Sequence, residues 1–151
     1  MFSRILVAVD GSTHSDRAVQ VGAEMAAGCG CGLILCHVFY IPEHYRADLT
    51  ADLRAAIRKD GEDILAHAAR VAKESGAQAQ SRLLEEGHPA EAVIACATEE
   101  GVDLIVAGAR GKTRDAIRAL GSVSWTIAKL AVCSVMIVRG AGAAPMMRPR
   151  R

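Results

Sequence analysis

The chain has 151 residues, which is the usual size of one domain with a single hydrophobic core. Hydrophobic residues make up 51% of it and charged residues 23%, so intrinsic disorder of the whole chain is excluded. The net charge is +1, which gives no global field to attract polyanions, and aromatic residues make up only 3%, too few for a module that stacks single-stranded nucleic acid.

Five cysteines occur, an odd number, and most lie in apolar runs as buried free thiols do. Cys31 and Cys36 would point to opposite faces of one strand, so we predict no metal site there. The first apolar run reaches Asp10 after five residues, too short for a signal peptide, and no run approaches the roughly 20 residues that span a bilayer. The sequence therefore predicts a soluble cytoplasmic protein.

Short apolar runs alternate with segments of helical periodicity along the chain. The runs predict strands at 5–9, 33–39, 78–84, 104–107 and 135–138, and the more polar run at 78–84 is expected at a sheet edge. Helical spacing predicts helices at 13–27, ended by Gly28 and Gly30, at 49–74 with Leu49 and Leu53 on its apolar face, from Pro89 onward, and at 122–131.

Strict alternation of strands and helices predicts an open, doubly wound, five-stranded parallel sheet with helices on both faces. This α/β domain is expected to span 1–139. The remaining residues, 140–151, have no periodicity and are expected to form a disordered tail, whose three arginines are either solvated or in contact with acidic partners.

A glycine-bounded polar stretch at 108–121 follows the fourth strand, at the sheet edge where doubly wound folds bind ligands. Its glycines let backbone approach a ligand closely, and Ser122 opens a helix whose free N–H groups attract anions. Four basic residues against one Asp115 add positive charge: Arg110, Lys112, Arg114 and Arg118. Together these features indicate a polyphosphate site, although each alone is also typical of a turn, a helix cap or a solvated surface.

Two common nucleotide motifs are absent. Gly111-Lys112-Thr113 resembles the end of a phosphate-binding P-loop, but that motif requires glycine where Val106 lies inside a strand. The glycine fingerprint of dinucleotide-binding folds is missing after the first strand. A nicotinamide cofactor is therefore not expected.

The chain resembles the universal stress protein family over about residues 3–139. ATP-binding members of that family carry G-x-x-G, nine residues, then G-[ST], and Gly108, Gly111, Gly121 and Ser122 fill these positions. The opening ILVAVDGS resembles the first strand of the family and its aspartate, here Asp10. Relatives in the family pair the last strand across a two-fold axis, so the resemblance implies the same pairing for this chain.

The resemblance implies a site for ATP together with Mg²⁺, and it implies a role for each residue of that site. Asp10 would face the nucleoside, although capping the following turn is an alternative role. Val38 would read the adenine edge through its main chain. The phosphates would contact the remaining residues, namely Gly108, Arg110, Gly111, Gly121, Ser122, Val123 and Ser124.

Candidates for catalysis are scarcer. Asp115 is the only carboxylate between Gly108 and Ser124, and His88 is either a base or a capping residue. The sequence thus predicts an ATP-binding stress or signalling effector with slow or no hydrolysis. The alternative is a nucleotide-hydrolysing enzyme of the adenine nucleotide α-hydrolase-like group.

The last strand predicts a homodimer. Its run from Val135 to Val138 has no proline and no charge before Arg139, and an unprotected apolar edge favours pairing with a second copy.

Overall fold

The computed structural model describes residues 1–110 and 120–140. Gly111 and most of the basic loop therefore lie outside the described residues, as do residues 141–151 of the predicted tail. The elements in chain order are β1 (Arg4–Ala8), α1 (Thr13–Cys29), β2 (Gly32–Tyr40), α2 (Glu43–Arg46), α3 (Ala51–Glu74), β3 (Ala79–Glu86), α4 (Pro89–Glu99), β4 (Leu104–Gly108), α5 (Ser122–Leu130) and β5 (Ser134–Val138).

The strands form one parallel sheet in the order β3-β2-β1-β4-β5. The predicted doubly wound α/β fold is confirmed. The order reverses between β1 and β4, so the connections leave in opposite directions at that point. A crevice opens at the carboxyl ends of the two strands for this reason.

Two hydrophobic clusters cover the two faces of the sheet. Ile5 and Val7 of β1 pack with α1 and α3 on one face, whereas Leu6 packs with α4 and α5 on the other. Successive side chains of a strand point to opposite faces, which is why both faces of β1 need apolar residues.

The helices differ from the sequence prediction at two boundaries and by one additional helix. Gly28 lies inside α1, and Gly30 alone ends it, with φ of 66° in the left-handed region. The long helix α3 begins after an N-cap at Thr50, and Leu53 on its first turn is 53% exposed, so the start of that helix does not pack on the core. The short helix α2 was not predicted.

The cysteines also depart in part from the prediction of buried thiols. All are free, but Cys29 is exposed, Cys31 and Cys133 are half-buried, and only Cys36 and Cys96 are buried. Among the residues that the structure describes, no helix is long and apolar enough to cross a membrane.

Candidate functional site

A cavity of about 270 Å³ lies at the carboxyl ends of β1 and β4, where the strand order reverses. Every predicted site residue within the described parts of the chain lines it: Asp10, Val38, Gly108, Arg110, Gly121, Ser122, Val123 and Ser124. The volume lies just below the range of about 300–1,000 Å³ that is typical of small-molecule sites. Segments far apart in sequence are thus brought to one concave surface.

The cavity has an apolar end that sequence reasoning missed. Its wall includes Cys36 of β2, Ala107 of β4, and Pro89 and Val93 of α4. For the two strand residues, the sequence does carry a signal. Side chains alternate along a strand, and Ala107 and Cys36 project toward the face that α4 covers. Without the sheet order, the sequence does not show that these side chains meet.

Asp10 performs the capping role that was its alternative. Its Oδ1 accepts a hydrogen bond of 2.9 Å from the main-chain N–H of Ser12, and Ser12 in turn caps α1 by accepting from the N–H of Ser15 at 3.1 Å. The cap uses one of the two carboxylate oxygens of Asp10. Since Asp10 also lines the cavity, capping and ligand contact are compatible.

The main chain of Val38 faces the cavity side of β2. The carbonyl of Cys36 accepts from the N–H of Val9 at 2.8 Å, so the main-chain groups of Cys36 point toward β1. Main-chain groups alternate sides along a strand, so those of Val38 point the same way. The pairing of β1 with β2 ends at Ala8 and Cys36. The main-chain N–H and C=O groups of Val38 therefore point beyond the end of β1.

The first turn of α5 forms the polar end of the cavity. Gly121 is the N-cap, and it adopts φ of −60° and ψ of 152°, with no side chain to cap the helix. Its own N–H donates to the carbonyl of Ala109 at 2.8 Å. The N–H groups of a helix's first turn have no partner within the helix and carry its positive dipole end, so this region attracts anions.

Ser124 and Gly108 are joined by a hydrogen bond. Ser124 is buried, and its hydroxyl donates to the carbonyl oxygen of Gly108 at 2.5 Å. Gly108 also approaches α1 closely, because a Cβ on it would lie 2.9 Å from main-chain atoms of His14. Glycine at this position is therefore required by packing of α1 on β4, in addition to any contact with a ligand.

His88 does not line the cavity. It is the exposed N-cap of α4 and makes no side-chain capping bond. Among the described residues that line the cavity, Asp10 is the only carboxylate. No group of three or more potential metal-binding side chains occurs within residues 1–110 and 120–140.

The sheet order, the crevice and the lining residues define a doubly wound α/β protein with a ligand-sized cavity at its switch point. The model of the universal stress protein family matches residues 1–139, and the chain belongs to this family.

Individual relatives agree with this assignment. Universal stress protein YxiE of Bacillus subtilis is 35% identical over 153 residues, covering 92% of this chain and all of the relative. A relative from Thermus aquaticus is 33% identical over 140 residues, with coverage of 92% and 100%. A universal stress protein solved in complex with cAMP superposes with a TM-score of 0.74 at 29% identity, covering 93% of this chain and 99% of that one.

Proposed function

We propose that the cavity binds ATP and that the nucleotide-bound state acts as a stress or signalling effector. The observation that carries the proposal is the convergence of Asp10, Val38 and the Gly108–Ser124 region on one cavity. A relative of 29% identity solved with cAMP supports an adenine nucleotide as the ligand. The triphosphate is our inference from the glycine motif and the basic residues beside it.

Each end of the cavity suits a different part of the nucleotide. The apolar end, with the main chain of Val38 beside it, suits a base that needs flat contacts and one donor and one acceptor. The carboxylate of Asp10 suits a ribose hydroxyl. The phosphates would lie at the first turn of α5, near Gly108, Arg110, Gly121, Ser122, Val123 and Ser124, with Gly111 contributing from outside the described residues.

Mg²⁺ would enter with the phosphates. This ion keeps several water ligands and is commonly held by substrate phosphates and one or two protein oxygens. The cavity therefore needs no dedicated set of metal ligands. The hydroxyl of Ser122 and the carboxylate of Asp10 are two of the side-chain oxygen ligands that the described part of the cavity offers to the ion.

Calorimetry tests the binding proposal directly. ATP, ADP, AMP, cAMP and GTP should be titrated into the protein, each with Mg²⁺ and with a chelator. We expect ATP to bind more tightly than AMP, cAMP and GTP, and the chelator to weaken ATP binding. Binding of cAMP in preference to ATP would overturn the triphosphate assignment.

The effector role requires that ATP favour one loop conformation over another. Hydrogen exchange should then show residues 108–124 protected by ATP, while phosphate release stays near background. Rapid turnover needs a metal, a positioned nucleophile and charge stabilisation together. Fast release of phosphate or pyrophosphate that Asp115→Asn eliminates would overturn the effector proposal in favour of the hydrolase alternative.

We also propose a homodimer through β5. The two edges of the sheet differ, because β3 reads AQSRLLEE whereas β5 reads SVMIV, with Val135, Met136 and Ile137 only half-buried. Nearby exposed apolar side chains include Trp125, Leu130 and Val132, which are 60%, 51% and 86% exposed. An apolar edge with exposed apolar neighbours supports pairing with a second copy.

A further inference from the structure

A buried histidine near the end of β2 bonds the main chain that follows β1. His37 is 9% exposed, and its Nδ1 lies 2.6 Å from the carbonyl oxygen of Val9. A carbonyl oxygen only accepts hydrogen bonds, so Nδ1 carries the proton and donates to it. His37 itself does not line the cavity, but its neighbour Val38 does. Any influence of His37 on the site therefore acts through the main chain.

The bond from His37 takes the place of the next main-chain hydrogen bond between the two strands. The N–H of Val9 donates to the carbonyl of Cys36 at 2.8 Å. In a parallel ladder, the carbonyl of Val9 would next accept from the N–H of Val38. That bond is not among the main-chain bonds of residues 1–110 and 120–140. The imidazole satisfies the Val9 carbonyl instead, and the Val38 N–H is left without a partner on the chain that follows β1.

The same bond fixes the peptide that carries Asp10. The carbonyl of Val9 and the N–H of Asp10 belong to one planar peptide unit, so holding the carbonyl orients that unit. On its other side, Asp10 is held through its carboxylate, which accepts from the N–H of Ser12. Gly11 between them has φ of 79°, which turns the chain away from β1 and into α1. Asp10 is thus anchored on both sides, and His37 supplies one of the two anchors.

Packing against α3 holds the imidazole in place. Gly61 of α3 is buried, and a Cβ on it would lie 3.1 Å from Cδ2 of His37 and 2.8 Å from Cδ1 of Leu83. Glycine inside a helix is less favourable than alanine, but here the missing side chain leaves room for the ring. The ring is therefore confined between the carbonyl of Val9 and the backbone of α3, which keeps its Nδ1 directed at that carbonyl.

We propose that His37 is a positioning residue for the nucleoside end of the cavity. By donating to Val9, it keeps the Val38 N–H available to the base and holds Asp10 where its carboxylate meets the ribose. The imidazole touches neither part of the ligand. This role rests on the proposed function, and it is specific to base and ribose, since the phosphates lie at the first turn of α5.

Two substitutions of similar shape isolate the hydrogen bond. His37→Asn keeps an N–H donor on the atom bonded to Cγ, as Nδ1 is, whereas His37→Leu places a methyl group there. Amide exchange measured by NMR without ligand is the first test, and the Val38 amide of the wild type should exchange rapidly. In His37→Leu the Val9 carbonyl loses its donor, so the Val38 N–H should bond it and exchange about tenfold more slowly. His37→Asn should exchange as the wild type does.

Calorimetry is the second test, with ATP and AMP compared against tripolyphosphate, which has no base or ribose. His37→Leu should weaken binding of both nucleotides by about tenfold and leave tripolyphosphate binding unchanged, and His37→Asn should restore the nucleotide affinities. Leu35→Val is the matched control. Leu35 is fully buried in the cluster on the same face of β2, and its apolar side chain holds no hydrogen bond, so all three affinities should stay at the wild-type values.

The failures of the two proposals are distinguishable. Unchanged ATP affinity in folded His37→Leu, or equal weakening of ATP and tripolyphosphate, overturns the positioning role. Nitrogen NMR of the wild type decides the case in which His37→Leu does not fold, because a His37 ring without a proton on Nδ1 also overturns it. A wild type that binds neither ATP nor AMP overturns the proposed function, and exchange at Val38 still decides whether His37 holds the Val9 carbonyl.

Discussion

The hydroxyl of Ser124 donates a hydrogen bond to the carbonyl oxygen of Gly108 across 2.5 Å. This bond joins the first turn of α5 to the last residue of β4, so the two segments that form the polar end of the cavity are held together. Ser124 is therefore a donor to the protein itself. Its oxygen keeps lone pairs, but its proton is directed at Gly108. The family resemblance implies instead that this hydroxyl contacts a phosphate of the ligand.

Ser122 and Ser124 should consequently differ when each is changed to alanine. Ser124→Ala leaves a buried carbonyl unsatisfied and should lower the free energy of unfolding by about 1–3 kcal/mol. Ser122 is exposed, so Ser122→Ala should leave stability nearly unchanged and weaken ATP binding by about 1.5–3 kcal/mol if the hydroxyl bonds a charged phosphate. Urea unfolding and calorimetry on both variants measure the two effects. Equal losses of stability would contradict this division of roles.

Gly121→Val should abolish ATP binding in a folded protein. Gly121 has φ of −60°, so the substitution causes no backbone strain. The reason is instead steric, because a branched side chain would occupy the polar end of the cavity. Gly28→Val is a matched control, since a Cβ at Gly28 meets nothing within 4 Å. Unchanged ATP affinity in folded Gly121→Val would refute the site.

Ile137→Pro should convert the proposed dimer to a monomer without disrupting the sheet. The carbonyl of Val138 accepts from Ala109, so the main chain of Val138 faces β4 and that of Ile137 faces the free edge. Proline there removes an outward N–H only. Ser81→Pro on the other edge strand is the control, because Ser81 is exposed and its main chain faces away from β2 by the same alternation. Light scattering at tens of micromolar measures the result, and a monomeric wild type would contradict it.

The ionised carboxylate of Asp103 should stabilise the fold, so the free energy of unfolding should decrease in acid. Hydrogen bonds from the main chain and hydroxyl of Ser3, and from the main chain of Arg4, lower the pKa of Asp103 from 3.8 to about 2. Because the folded pKa is below the unfolded value, this contribution is fully present above about pH 4 and is lost as the pH falls through about 2.

Asp103→Asn tests this dependence. The variant should unfold at a lower urea concentration than the wild type near neutral pH, and the difference should shrink toward about pH 2. Asp48→Asn, at an exposed carboxylate outside the helices and strands, controls for the lost charge. A difference between wild type and Asp103→Asn that is constant with pH would show that the pairing of Asp103 does not depend on its ionisation.

The amino-acid sequence by itself determined the order and type of the main elements and indicated the motif residues of the candidate site. Period-two and period-3.6 patterns are local properties of the chain, and Gly121-Ser122 at the start of a helix is recognisable without any tertiary contact. The sequence did not predict the short helix α2, because its four residues bury no side chain and give no periodic hydrophobic pattern.

Tertiary structure alone decided which residues meet. The sheet order places Cys36 and Cys96 in one buried cluster. It also places Pro89 and Val93 on the cavity, and it sets Gly108 so close to His14 that a Cβ would lie 2.9 Å from that residue's main chain. These contacts join segments far apart in sequence, and their distances depend on how α1 and α4 pack on opposite faces of the sheet. Local patterns show which face of an element is apolar but not which partner covers it, because partner choice follows from the packing of the whole domain.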